Sequence, residues 1–268
     1  MQRYFIQLSY DGTAYHGWQI QPNGISVQET LEKALSIIAR ESVTVTGAGR
    51  TDTGVHASFF VAHFDSDNLD LDLDKKIHNL NSLLPYDIAV QNVFKVNPEA
   101  HARFDAVSRT YKYFIVKTKD PFQRHYAAKE ARMPDIEKMN EAARLLFEYE
   151  DFTSFSKLGT DVKTNNCKVD LAQWVDEGNR NVFTIRADRF LRNMVRAIVG
   201  TLLDVGFSKL TMDGFREVIE AKDRRSAGTS VPAKGLFLVD IRYSENLSAG
   251  LIRSPKPDFT GAGVNLGV

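Results

Sequence analysis

Two apolar spacings alternate along this chain, one of two residues and one of three to four, and that alternation excludes an all-helical or all-strand fold. Arg3 to Tyr10 sets Tyr4, Ile6 and Leu8 on one side, which reads as a strand broken by Asp11-Gly12-Thr13. Val27, Leu31, Ala34, Leu35 and Ile38 follow at helical spacing and predict a helix from Val27 to Arg40. Ser26-Val27-Gln28-Glu29 stands at its start as a capping box, in which the Ser26 hydroxyl and the Glu29 carboxylate satisfy free backbone donors. A short strand is expected over Val43 to Thr46, another over Phe59 to Phe64, and between them lies a glycine-rich loop. Leu73, Ile77, Leu80 and Leu84 predict a second helix, stopped by Pro85, with a strand from Ile88 to Val96.

A comparable series begins after Pro98. Val107 to Lys117 reads as a strand through Tyr111, Tyr113 and Ile115, and Ile136 to Glu148 as a helix through Met139, Ala143 and Leu146. Val169 to Val175 and Val182 to Ala187 form a predicted hairpin around Glu177-Gly178-Asn179. A long helix is expected over Phe190 to Val205, a shorter one over Met212 to Ala221, and a last strand over Leu236 to Tyr243. The pattern predicts an α+β protein, a largely antiparallel sheet flanked by helices, in two similar α+β halves, 1–100 and 101–245. Residues 246–268 are polar and rich in Gly and Pro, and a mobile tail is expected there.

At 268 residues with 43% hydrophobic and 25% charged side chains, the chain has the balance of a soluble globular protein. No apolar run approaches the roughly 20 residues of a membrane span. The first residues enter alternation directly, without the basic patch and apolar run of a secretory signal, so a cytoplasmic location and no membrane association are expected. One cysteine, Cys167, excludes an intrachain disulfide, and its neighbours match no thiol-enzyme pattern.

Formal net charge is zero, but the charges are segregated. Residues 101–132 carry Arg103, Arg109, Lys112, Lys117, Lys119, Arg124, Lys129 and Arg132 against Asp105, Asp120 and Glu130. Residues 180–196 carry Arg180, Arg186, Arg189, Arg192 and Arg196 against Asp188, while acidic residues gather at 65–74 and 130–151. Such segregation permits a basic groove on a neutral protein, although a charge run is commonly only a solvated face.

The loop Gly47-Ala48-Gly49-Arg50-Thr51-Asp52-Thr53-Gly54-Val55-His56 has no third glycine where a dinucleotide fingerprint requires one, and no Gly-Lys-Ser/Thr of a P-loop. What remains is a turn presenting Arg50, Asp52 and His56 together, with glycines that let a substrate approach the backbone. Arg50 beside Asp52 is expected to favour the charged carboxylate. Taken alone, an Asp in such a loop is as readily a turn former.

The full string from Gly47 to Ala57 closely resembles the active-site signature of the tRNA pseudouridine synthase A family. The resemblance extends along nearly the whole chain, through Tyr10-Asp11-Gly12-Thr13 with His16-Gly17-Trp18-Gln19, Asn81 to Pro85, Phe104-Asp105-Ala106 with Arg109 to Tyr113, Met194-Val195-Arg196, and Pro232 to Leu236. Two places depart from that pattern: Arg192-Asn193, where histidine or tyrosine is more usual, and Glu150-Asp151-Phe152, where histidine more often precedes the Asp-Phe pair.

The resemblance implies isomerisation of uridine to pseudouridine in the anticodon stem-loop of tRNA, at positions 38, 39 and 40, by a homodimer that needs no cofactor. It implies Asp52 as the catalytic residue, Tyr111 as an aromatic stacking on the uracil, Arg196 paired with Asp52, and Leu236 as a wall against the base, in a cleft between the halves. Arg189, Arg192 and Arg196, three and four apart, would line one side of a helix end and suit phosphate contacts. His56 and His63, seven apart in a strand, are expected to face opposite sides, and none of the histidines shows metal-ligand spacing, so no metal is expected. His56 reads as a hydrogen bonder that orders the loop. An ionised Asp can act at the sugar as nucleophile or as base, and the sequence does not choose. A noncatalytic RNA-binding protein and a nucleotide-using enzyme with a glycine-rich phosphate loop remain as other readings.

Overall fold

Strands and helices that are apolar on one side bury those sides against each other, and here, among the described residues, nine strands form one sheet flanked by helices. The computed structural model describes residues 1–69, 73–157, 159 and 163–252. Residues 253–268 of the expected tail and 70–72 of the acidic stretch lie outside the described residues. The first half contributes β1 (Gln2–Tyr10), α1 (Val27–Ala39), β2 (Thr46–Gly47), β3 (His56–Ser66), α2 (Leu73–Leu83) and β4 (Ile88–Lys95). The second contributes β5 (Ser108–Val116), β6 (Ala128–Lys129), α3 (Ile136–Leu145), β7 (Val169–Asp176), β8 (Arg180–Ala187), α4 (Met194–Gly206), α5 (Met212–Glu220), β9 (Leu236–Arg242) and α6 (Glu245–Ser248). Among the described residues no helix is long and apolar enough to cross a membrane.

The sheet order is β4-β1-β3-β9-β5-β8-β7, antiparallel except where β3 meets β9 and where β6 joins β5. The β3–β9 ladder spans only His56↔Phe237 and Ala57↔Leu238. Beyond it the strands part, and β2 with its following loop occupies the space beside β3. Two large cores lie either side of this seam. One gathers Tyr4, Ile6, Leu8, Trp18, Leu31 and Phe60, the other Tyr113, Phe152, Phe183, Ile198 and Phe215, and Tyr111 packs against both. Each such large side chain contributes about 1.5–3 kcal/mol when fully buried.

Local departures from the sequence pattern have identifiable causes. Ser26 caps α1, its hydroxyl accepting from the Glu29 N–H at 3.2 Å, but the Glu29 carboxylate turns to Lys33 at 2.6 Å instead of closing a capping box. Val43 and Val45 are buried as a strand would bury them, yet their N–H groups go to the Ser36 hydroxyl and the Glu32 carboxylate, so the ladder begins only at Thr46. The helix expected from Phe190 starts at Met194, because Asn193 adopts a left-handed conformation (φ 66°) that no helix continues through. In β3 an extra residue opposes β1, since Leu8 pairs with Phe60 but Tyr10 with Ala57. This bulge shifts the alternation, so His56 and His63 face the same side rather than opposite ones. The described part of the expected tail is docked: Leu251 is buried, and Ile252 exchanges two hydrogen bonds with Gln7, at 2.6 and 2.8 Å.

Candidate active site

The loop that carries Asp52 takes its shape from the turn at residues 10–18. Gly12 and Gly17 lie so close beneath it that a Cβ would stand 2.0 Å from the Val55 carbonyl oxygen and 2.2 Å from that of Thr51. Gly17 also has φ +85°, where only glycine sits without strain. Around these contacts Tyr10 Oη bonds Thr51 Oγ1 at 2.9 Å, the Gly54 N–H donates to the Tyr15 carbonyl at 3.3 Å, and the Gly12 N–H donates to His56 Nδ1 at 3.1 Å. His56 thus orders the turn beneath the loop. Of the loop glycines, Gly47 makes room for the Trp18 indole, Gly54 supplies a positive φ, and the space around Gly49 is open.

Across the seam stands Arg196, in the first turn of α4. Its Nε donates to the Val231 carbonyl at 2.8 Å and its Nη1 reaches Asp52 Oδ2 at 3.2 Å. Gly200, one turn on, lets the segment carrying Val231 pack closely, since a Cβ there would stand 1.9 Å from the Thr229 carbonyl oxygen. Asp52 Oδ1 has no hydrogen-bond partner among the described residues. Arg50 does not supply the contact expected of it. It is exposed and, among the described residues, forms no hydrogen bond or ion pair, and the cation paired with the Asp52 carboxylate is Arg196.

Tyr111 lies on β5 beside this pair, its ring edge-on to Phe190 with centroids 5.2 Å apart. Burial pushes its phenol above the ordinary range, the positive charge of Arg109 opposes that shift, and the negative charge of Asp52 adds to it, so the hydroxyl stays protonated. Leu236 opens β9 opposite Tyr113, on the face that Tyr111 shares, and is buried.

The open cleft is lined by Asp52, Thr53, Lys157, Arg192, Asn193, Arg196 and Arg224. Arg192 and Arg196 therefore meet there, but Arg189 does not line it, and Arg189 and Arg192 precede α4 rather than forming a helical stripe with Arg196. Asn193 is fixed by donating from Nδ2 to the Ser230 hydroxyl at 2.6 Å, a role the left-handed backbone suits to asparagine. Lys157 and Arg224 were not singled out by sequence, since they come from separate segments with no shared spacing. The arginine cluster of 180–196 divides. Arg180 is buried, bonded to Glu177 at 2.7 Å and set 4.9 Å over Phe114, and Arg186 pairs with Asp170 at 2.7 Å.

Arg109 has a role that its place in a basic run concealed. Half-buried, its guanidinium donates to four backbone carbonyls, of Ala48, Arg103, Ala106 and Asp188, at 2.6–3.1 Å. It fastens the base of the Asp52 loop to the strand carrying Tyr111. Cys167 is buried, which pushes its thiol up to about 12 and removes it as a nucleophile at neutral pH.

A carboxylate with one oxygen held by a guanidinium, a protonated phenol beside it, and cations lining an open cleft are the equipment of an enzyme that modifies a nucleic acid. A family model described as tRNA pseudouridine synthase matches residues 7–105 and 142–244, stretches that include Asp52, Arg196 and Leu236 and leave Tyr111 between them. Similar proteins carry the name tRNA pseudouridine synthase A. That of Parabacteroides distasonis is 61% identical over 92% of this chain and 98% of its own length, and that of Bacteroides fragilis is 60% identical over the same shares. That of Bacillus subtilis is 40% identical over 88% of this chain and 97% of its own. The chain belongs to the tRNA pseudouridine synthase family.

Proposed function

We propose that Asp52 is the catalytic carboxylate of an isomerase that converts uridine to pseudouridine in the anticodon stem-loop of tRNA, at positions 38, 39 and 40. The reaction breaks the bond from sugar C1′ to ring N1, turns the base, forms the bond from C1′ to ring C5, and moves a proton from C5 while N1 gains one. Nothing is oxidised or reduced, and no group donor is consumed. The observation that carries the reading is the asymmetric Asp52 carboxylate, with Oδ2 on Arg196 and Oδ1 at the cleft, unengaged by any of the described residues. That oxygen can attack C1′, the C1′–O bond breaking again as C5 joins C1′, or take the proton from C2′ and return it as C5 joins, and either path expels N1. Tyr111 offers a ring face for the uracil and a hydroxyl that can relay the C5 proton, its oxygen accepting that proton as its own passes to a base such as the freed Asp52 carboxylate, and Leu236 closes the wall behind the base. Arg192, with Arg50 and Arg189 further out, neutralises phosphates, so the two halves, 1–100 and 101–245, act as jaws around the extruded nucleotide.

Asp52→Asn keeps the shape and removes the charge. It is expected to fold, to bind tRNA within a few-fold of the parent, and to release no tritium from tRNA labelled at uridine C5, a loss of at least about a thousandfold. Turnover comparable to the parent's refutes the assignment. A primary isotope effect from deuterium at C2′ distinguishes base from nucleophile. We further place the protein in the cytoplasm as a homodimer, with tRNA lying across both subunits. Light scattering at micromolar concentration tests the dimer, and a monomer that still modifies full-length tRNA refutes it.

A further inference from the structure

Loop 101–107, which leads into the strand of Tyr111, holds a phenyl ring out in solvent on a backbone that is tied down at almost every residue. Phe104 is 75% exposed. Around it, His101 Nδ1 accepts from the N–H groups of Arg103 and Phe104 at 3.1 and 3.2 Å, and Asp105 Oδ2 accepts from the His101 N–H at 2.8 Å. The Ala102 N–H donates to His63 Nδ1 at 3.1 Å, its carbonyl accepts from Tyr243 Oη at 2.6 Å, and Arg109 binds the carbonyls of Arg103 and Ala106. A slack loop would let an exposed ring fold back onto apolar surface; this one presents it.

The loop also stands beside the site. One nitrogen of Arg109, Nη2, donates to both the Arg103 and the Ala48 carbonyls, at 2.6 and 3.1 Å, which brings the root of Phe104 against the root of the Asp52 loop. Arg109 and Tyr111 lie two residues apart on one face of β5, and the guanidinium charge is felt at the Tyr111 hydroxyl. The Phe104 ring leans on the His101 imidazole, with centroids 4.2 Å apart, and the Arg103 guanidinium lies 5.8 Å from its centroid. Exposed Arg50 follows the open position of Gly49 on the neighbouring loop. A flat hydrocarbon surface flanked by guanidinium groups accepts an unstacked nucleobase while the cations meet its phosphate.

We propose that Phe104 is a stacking platform for an unpaired base of the anticodon loop neighbouring the uridine under reaction. The proposal rests on the reading of the cleft as a tRNA site. The test uses full-length tRNA with 2-aminopurine at single loop positions, titrated with the parent, Phe104→Leu and Phe104→Trp, alongside tritium release by the parent. Quenching of one labelled position is expected with the parent. Phe104→Leu, which keeps apolar bulk, should lose that quenching and bind about tenfold more weakly, the loss of one base–aromatic stack. Its dependence of affinity on salt should be unchanged, because no charge is removed, and Phe104→Trp should restore both signals. An active parent whose Leu variant binds and quenches equally, or a Trp variant as weak as Leu, overturns the proposal. A parent that releases no tritium refutes the tRNA reading and this proposal with it.

Discussion

Asp52 reaches the cleft on a loop shaped from outside, whereas Arg196 reaches it on a helix shaped by its own sequence. The loop has little internal bonding, chiefly the Val55 N–H to the Asp52 carbonyl at 3.1 Å, and is held by Tyr10, Gly12, Tyr15 and Gly17 from a turn some forty residues earlier. Arg196 stands in a thirteen-residue helix whose apolar side chains are buried throughout, and needs only Val231 to fix its guanidinium. Placement by remote backbone contact tolerates no added atom, while placement by a helix tolerates most changes off its packed face.

The sharpest way to break this comparison is to add one methyl group on each side. Gly17→Ala would put a Cβ 2.2 Å from the Thr51 carbonyl at a φ that alanine resists, and Gly200→Ala would put one 1.9 Å from the Thr229 carbonyl. Overpacking of this kind costs about 1–3 kcal/mol, and a displacement of about 1 Å at a reacting group costs about a hundredfold in rate. Both variants should lose about that much turnover in tritium release, with a lowered Tm. Gly17→Ala with parental turnover would mean that the Asp52 loop holds its own shape.

The same contrast governs what could be read from the residues alone. Helices and strands follow one-dimensional periodicity, so α1, α2 and the β7–β8 hairpin were legible within a few residues. The late start of α4 was not, because the left-handed turn at Asn193 depends on Ser230, and neither was the ladder start at Thr46, because Glu32 and Ser36 take the earlier donors. Asp52 stood out as a loop carboxylate and Arg196 as one of a basic run, but their pairing, and the parts of Tyr111 and Leu236, came through resemblance, since nothing in spacing joins positions 52, 111, 196 and 236. The glycines at 12 and 17 stood in plain view, but their reason is a backbone that approaches from residues 51 and 55. Charge was read least well, for a run of arginines does not say which are already paired.

A smaller effect is expected at the pair itself. Arg196 serves Val231 with one nitrogen and Asp52 with another, a fork that the single ammonium of lysine does not reproduce. Arg196→Lys should lower kcat by about ten- to a hundredfold, a loss of about 1.4–2.7 kcal/mol in transition-state stabilisation. Arg109→Lys, which loses carbonyl contacts beside Tyr111, should fall in the same range with a lowered Tm. If Arg196→Lys turns over like the parent, charge alone suffices at that position and the rigid side of the comparison is weaker than the fold suggests.

The two parts of the arginine cluster sharpen the comparison by several-fold effects on affinity. Arg192 lines the cleft, while Arg186 is engaged with Asp170 on β7. Arg192→Ala should weaken tRNA binding and reduce the slope of log affinity against log salt by about one, as expected for one lost phosphate contact. Arg186→Gln should leave that slope unchanged. Equal slopes for Arg192→Ala and the parent would remove Arg192 from the RNA surface.

The smallest effect at neutral pH lies behind the Phe104 loop, in the buried His63. Burial pushes its imidazole down to about 4; the positive charges of His101 and Arg3 act in the same direction, and Asp65 and Asp105 oppose them. The folded state therefore holds His63 neutral, with Nδ1 accepting from the Ala102 N–H, where the unfolded chain protonates it near its ordinary value of 6.5. Between 6.5 and about 4 the unfolded state binds more protons than the folded one, so stability present above pH 6.5 is lost as pH falls through that window. His101, also lowered by burial, adds to the loss in the same direction. His63→Gln keeps an acceptor for the Ala102 N–H and cannot titrate, so denaturant unfolding from pH 7 to pH 4.5 should show a shallower decline, by up to about one proton in the linkage slope. An identical decline in parent and variant would show that His63 is not the group that couples this loop to pH, and would leave His101 and the carboxylates around it to account for the slope.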